Sequence, residues 1–174
     1  KESEKIYEII CKVGINYNLV HSGRLAMDIM RMEKGYLHWG HDITPAENPF
    51  EAGLSFAVKL NKEKNFIGKE GLTNSKTNQK KQFAMFALEN SEPGKPLLLH
   101  DEPIYFKNEI IGETTSGNFS FYYNKNMAFG YINMSIDTKN VENEIFQIEV
   151  AKVKYNAKLL LQPLHDPKNI NIKS

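Results

Sequence analysis

An α+β fold is predicted, with helices in the first half of the chain and short antiparallel strands in the second. Near the start, apolar residues recur at i, i+3, i+4 and i+7, the spacing of one helix face. Beyond residue 81 they fall instead in short alternating runs separated by turn residues, the pattern of strands. Between the two textures TNSKTNQKK, residues 73–81, contains no apolar residue. The domain boundary is placed there, giving units of 1–80 and 81–174. A chain of 174 residues, 41% hydrophobic, is long enough for one large or two small domains.

Ile6, Ile9, Ile10 and Val13 predict a helix from Ser3 to Val13, capped by Ser3, ended at Gly14 and turned by its apolar stripe toward a core. Cys11, between Ile10 and Val13 and with no histidine nearby in sequence, reads as a small apolar residue of that helix. A second helix follows, with Ser22 as N-cap, Leu25, Ile29 and Met32 as its apolar line, and Gly35 as a left-handed stop. Arg24 and Asp28, four apart, share its outer face. Leu54, Phe56, Val58 and Leu60 alternate with Ser55, Ala57 and Lys59, which predicts a strand. NFIGKEGL then gives a turn and a short helix from about Gly68.

In the second unit strands are expected over Gln82–Leu88, Pro103–Phe106, Ile110–Gly112, Met127–Ile132, Ile145–Val150 and Lys154–Leu161. Their close spacing implies an antiparallel barrel or sandwich. The TSG of residues 115–117 reads as a turn between strands, and the tail HDPKNINIKS as polar and frayed.

Lys plus Arg number 22 against 21 Asp plus Glu, so charge gives no reason to expect a nucleic acid or an anionic membrane as partner. No run approaches the roughly 18 apolar residues of a membrane span. The opening KESEKIYEII lacks the apolar centre of a secretory signal, and a chain that begins at Lys1 rather than Met is expected either to be cut from a longer polypeptide or to have an artificial start. A single cysteine excludes an internal disulfide and suits a reducing compartment; a cytoplasmic location is expected. Nothing in the sequence sets an oligomeric state.

The densest stretch is GYLHWGHDITPAENPFEAGL, residues 35–54, which holds the single tryptophan. His38, His41 and Asp42 offer two imidazoles and a carboxylate, but two histidines three apart on a loop, without a Cys pair or an H-E-x-x-H helix, do not make a metal site. No metal is expected, and both rings are expected to bond backbone groups at the end of the second helix. Asp42, Glu47 and Glu51 are candidates for acid/base work, with structural roles favoured. Ser116 has no G-x-S-x-G elbow, the glycines lack phosphate-cradling spacing, and Lys59, Lys62, Lys64 and Lys69, interleaved with Glu63 and Glu70, read as a solvated face. Tyr36 and Trp39 stand three apart just after a helix stop, where rings are either packed in a core or offered to a flat ligand.

In order along the chain come Arg31-Met32-Glu33-Lys34-Gly35, Gly40-His41-Asp42-Ile43, Pro49-Phe50-Glu51-Ala52-Gly53-Leu54 and Phe66-Ile67-Gly68-Lys69-Glu70-Gly71-Leu72. They resemble the R-L-E-x-G helix end, G-x-D loop, P-x-E-A-G-L turn and F-I-G-K-E turn of the glycine cleavage T-protein superfamily, in particular the form fused to dimethylglycine and sarcosine dehydrogenases. Residues 111–120 and 127–132 resemble that family's small C-terminal barrel.

The resemblance implies the later part of a folate-binding domain followed by an antiparallel β-barrel. It implies tetrahydrofolate at a shared site that is incomplete here, and FAD only in a domain upstream. Tetrahydrofolate would capture, as methylene-tetrahydrofolate, the one-carbon unit that the flavin domain releases from a small methylated amine. The catalytic residues are expected upstream, so the chain alone is expected to be inactive. Alternatives are part of a stand-alone aminomethyltransferase, or a scaffold. Tyr36 keeps the family's aromatic after the helix glycine, and Met27 stands where an arginine often contacts folate, so Met27, Tyr36 and Trp39 are the folate-facing candidates.

Overall fold

The computed structural model describes residues 2–173. Residues 81–160 form a six-stranded antiparallel barrel: β1 (Lys81–Leu88), β2 (Pro103–Phe106), β3 (Glu109–Ser120), β4 (Lys125–Asn133), β5 (Ile145–Val150) and β6 (Val153–Leu160). The strand order is β1-β4-β3-β2-β5-β6, and β1 pairs back onto β6 with Phe86 opposite Leu159, so the sheet closes. Closure removes the unpaired edges that an open sheet would leave to neighbours.

Alternation puts Phe86, Ile104, Ile132, Phe146 and Ile148 inside, all at 0% exposure. Phe106 and Phe146 stack there with centroids 4.7 Å apart. Burying side chains of this size contributes about 1.5–3 kcal/mol each, and the barrel therefore has a core of its own.

β4 is buried on both faces. Ala128 and Ile132 point in, while Met127 and Phe129 point out and meet Met32 of α2 (Arg24–Glu33), with Ile29, Phe83, Met85 and Leu164 around them. This second apolar layer fixes α2 on the outside of the barrel. Gly35 ends the helix at φ +74°, and a Cβ there would sit 3.2–3.3 Å from Pro163 and from the Met85 sulfur, so both the turn and the packing favour glycine.

Several expectations are corrected. α1 (Glu2–Gly14) forms, but none of its residues is buried and Ile6, Ile9, Ile10 and Val13 are all more than half exposed; its stripe faces no core among the described residues. Cys11 has a histidine beside it after all, with His21 Nε2 4.0 Å from its sulfur across the turn that follows α1. α2 begins after Gly23 without a side-chain cap, so Ser22 does not serve as one.

No strand starts at Leu54. Residues Ser55–Ala57 form a 3-10 turn, and Phe56 projects outward. The alternation was real but had no partner, because the barrel is closed by its own six strands. The polar stretch from Thr73 is partly helical: α3 runs Lys69–Thr77, with the Thr73 and Ser75 hydroxyls bonded back to the carbonyls of Lys69 and Gly71.

TSG is not a turn but the middle of β3, at a register irregularity between Thr114 and Ser116. A Cβ on Gly117 would lie 2.2 Å from that of Leu98, so this glycine serves close packing. The tail is not frayed as far as Asp166. The His165 N–H donates to the Glu33 carbonyl (2.8 Å), and Lys34 holds both the carbonyl (2.6 Å) and the carboxylate (3.0 Å) of Asp166.

Candidate functional site

The loop that follows α2 is tied to the barrel by one buried carboxylate. The Asp42 side chain is fully buried and accepts from Arg31 Nη1 (2.6 Å), the His38 N–H (2.8 Å), Thr115 Oγ1 (2.6 Å) and Ser116 Oγ (2.8 Å). Arg31 spends its remaining donors on Asp28 (2.5 Å), the Ser116 hydroxyl (2.9 Å) and the Tyr36 carbonyl (3.2 Å). The planar fork of arginine, with its fixed donors, suits this multiple engagement. The Tyr131 hydroxyl donates to the Asp42 carbonyl (2.8 Å), and burial, followed by the nearby Glu47, Asp42 and Glu51 charges, pushes its pKa well up.

The other carboxylates of the stretch also hold the fold. Glu51 accepts from the N–H groups of Lys80 (2.9 Å) and Asn48 (3.3 Å), and its carbonyl takes the Phe83 N–H (2.8 Å), which anchors the start of β1. Glu47 pairs with Lys81 (2.5 Å) and with the N–H and hydroxyl of Thr44 (2.7 Å each). Burial works to raise the Glu47 pKa, but the Lys81 and Thr44 bonds outweigh it and hold the carboxyl below its usual range.

Glu33 is bound by the buried Ser120 hydroxyl, a partnership that sequence reasoning missed, because 87 residues separate the two. The one available sign was a glutamate next to Met32 of the helix's apolar line. Each of these carboxylates is engaged in holding the fold, and the Ser116 hydroxyl donates to Asp42 and accepts from Arg31.

His38 and His41 do not bond the backbone as expected. Their rings meet edge-on, with centroids 4.9 Å apart, and His38 Nδ1 is buried without a partner. Among the described residues no group of three or more His, Cys, Asp or Glu side chains is placed to hold a metal ion, and no helix is long and apolar enough to cross a membrane.

The three folate-facing candidates are only partly brought together. Met27 and Tyr36 line one hollow of about 490 Å³ with Met30 and, from the tail, His165, Asp166 and Ile172. Both are about half exposed, and neither ring of the Tyr36–Trp39 pair is sealed in the interior. Trp39 stands apart, 69% exposed, outside that hollow. The tail's part in the wall had no signal in the sequence, since it depends on Lys34 reaching Asp166.

Fold and site together define an α+β chain in which a closed barrel carries a helix and loop on its outer face. Residues 1–62 match the GCVT N-terminal domain and residues 81–166 the glycine cleavage T-protein C-terminal barrel domain, and the chain belongs to the glycine cleavage T-protein family. It is 31% identical to mouse (Mus musculus) mitochondrial sarcosine dehydrogenase over 97% of its length, and 31% identical to mouse mitochondrial dimethylglycine dehydrogenase over 94%. It spans 18% of each of those proteins. In fold it is similar to the glycine cleavage system aminomethyltransferase T from Bartonella henselae, with a TM-score of 0.70 at 23% identity, covering 82% of this chain and 38% of that one.

Proposed function

We propose that this chain forms part of a folate site in a longer polypeptide that oxidises a small N-methylated amine with a flavin and passes the one-carbon unit to tetrahydrofolate. Its similarity to sarcosine and dimethylglycine dehydrogenases, of which it spans 18%, supports both the amine chemistry and the missing flavin domain. The units 1–80 and 81–174 are proposed as the end of the folate-binding domain and its barrel.

The observation that carries the reading is the hollow shared by Met27 and Tyr36. An aromatic face and two methionines suit a flat heteroaromatic ligand. The charged groups around it are spent on one another, Lys34 on Asp166 and Arg31 on Asp28 and Asp42. The hollow therefore offers stacking without free charged donors, and Met27 supplies no charge-assisted bond where the family often has arginine. Such a surface is half of a site, and the polar half must come from another segment. On this reading the chain has no catalytic residue and is inactive alone. A lone thiol suits any reducing compartment, and both dehydrogenases above are named as mitochondrial, so the cytoplasmic placement gains no support from them.

Tyr36→Ala in the complete polypeptide tests the division of labour. It is expected to lower the yield of methylene-tetrahydrofolate while flavin reduction by the amine is unchanged. Collapse of amine oxidation in a folded variant would refute it.

A further inference from the structure

A second cleft lies on the other side of Arg31, between the start of α2 and the barrel, and measures about 430 Å³. Leu98 and Phe119, both buried, and the exposed Leu25, Leu97 and Phe121 give it apolar walls. Its size and lining fall in the range of small-molecule sites, where a few fixed polar groups set orientation.

The polar groups are unevenly matched. Asp28 is taken by Arg31, Arg31 by Asp28 and Asp42, and His100 by Asp101 at 2.6 Å. Arg24 lines the cleft and pairs with nothing among the described residues. The lining thus carries one uncompensated fixed cation. His38 adds a directed donor. Its Nδ1 is buried without a partner and no hydrogen bond engages its Nε2 among the described residues, so whichever ring nitrogen carries the proton, that N–H lacks an acceptor. The edge-on contact with His41 holds the ring's orientation.

One unmatched guanidinium, one ring N–H without an acceptor and apolar walls describe a complement to a singly charged oxyanion with a hydrocarbon or aryl body. We infer that this cleft binds a small amphipathic carboxylate at a site separate from the Met27–Tyr36 hollow, its head group between Arg24 and His38 and its body against Phe119 and Leu97. The inference stands apart from the folate reading and uses none of its residues.

Titration of the chain with phenylacetate, followed by backbone amide NMR, tests it against the neutral isostere phenylacetamide. Saturable binding is expected, with shifts centred on Arg24, Leu25, Asp28, His38, His41 and residues 97–99. The amide should bind at least about tenfold more weakly. Arg24→Gln, on an exposed side chain, and His38→Phe, which keeps the ring and removes the N–H, should each weaken phenylacetate by about tenfold, while Met27→Ala leaves it unchanged. Equal affinity for acid and amide, shifts centred on Met27 and Tyr36, or no saturation by about 10 mM would overturn the inference.

Discussion

Residues 81–160 close on themselves, whereas residues 2–62 do not. The barrel satisfies its strands in one cyclic order and fills its interior with phenylalanine and isoleucine at 0% exposure. The segment ahead of it has one helix with no buried residue and a second held by a single apolar face and the Asp42 carboxylate. The barrel thus contains the reasons for its own stability, while the helical segment borrows its own from the barrel and, on the function proposed above, from the rest of a longer polypeptide. A 13-residue helix without a packed face is marginal in water.

The largest expected break in this contrast is Phe146→Ala, which empties the middle of the barrel and should cost about 3–5 kcal/mol, read by urea denaturation. If the barrel tolerated it within about 1 kcal/mol, its core would not be the source of stability. Asp42→Ala comes next, at about 3 kcal/mol, because it strips a buried partner from Arg31. Its signature is local. Hydrogen exchange should quicken through α2 and residues 36–43 while β2 and β5 keep their protection; uniform loss across the barrel would show that the two regions are not separable.

A smaller effect follows pH. The Asp166 carboxyl, which burial works to raise, is held below its usual range by Lys34 and by the N–H groups of Ile170 and Asn171, and Glu47 is lowered by Lys81 and Thr44. A carboxyl whose folded pKa is depressed contributes fully above its unfolded value and loses that contribution as pH falls through the folded one. The anchoring of residues 165–170 should therefore persist down to about pH 4 and loosen below it, measured as amide exchange. Lys34→Met should weaken that dependence, and loosening between pH 5 and 7 would contradict it. The smallest effect is Ile9→Ala in α1, expected to change stability by less than about 0.5 kcal/mol.

Where local pattern decides, the sequence was legible. Short apolar or alternating runs bounded by turn residues located β1, β2, β4, β5 and β6 to within two residues, and Gly35 marked the end of α2 because only a residue at ease with positive φ ends a helix that way. It misled where an unmet partner decides. The alternation from Leu54 to Leu60 had no strand to join, the stripe of α1 had no core to face, and Thr115-Ser116-Gly117 looked like a turn because its reasons, Asp42 and Leu98, lie 73 and 19 residues away. The site shows the same division. Tyr36 and Met27 were picked by their places in a motif, but their joining through the tail, the Arg31–Asp42–Ser116 clamp and the unpaired His38 nitrogen all arise from contacts that residue spacing does not encode.

The half-site claim is tested most directly by titrating tetrahydrofolate into the chain alone and following the heat of binding by calorimetry, a readout that does not depend on Trp39, which stands outside the hollow. The account predicts no saturation up to about 1 mM, because only the stacking half of the hollow is present. Saturation in the micromolar range, abolished by Tyr36→Ala, would show instead that these residues bind the ligand by themselves.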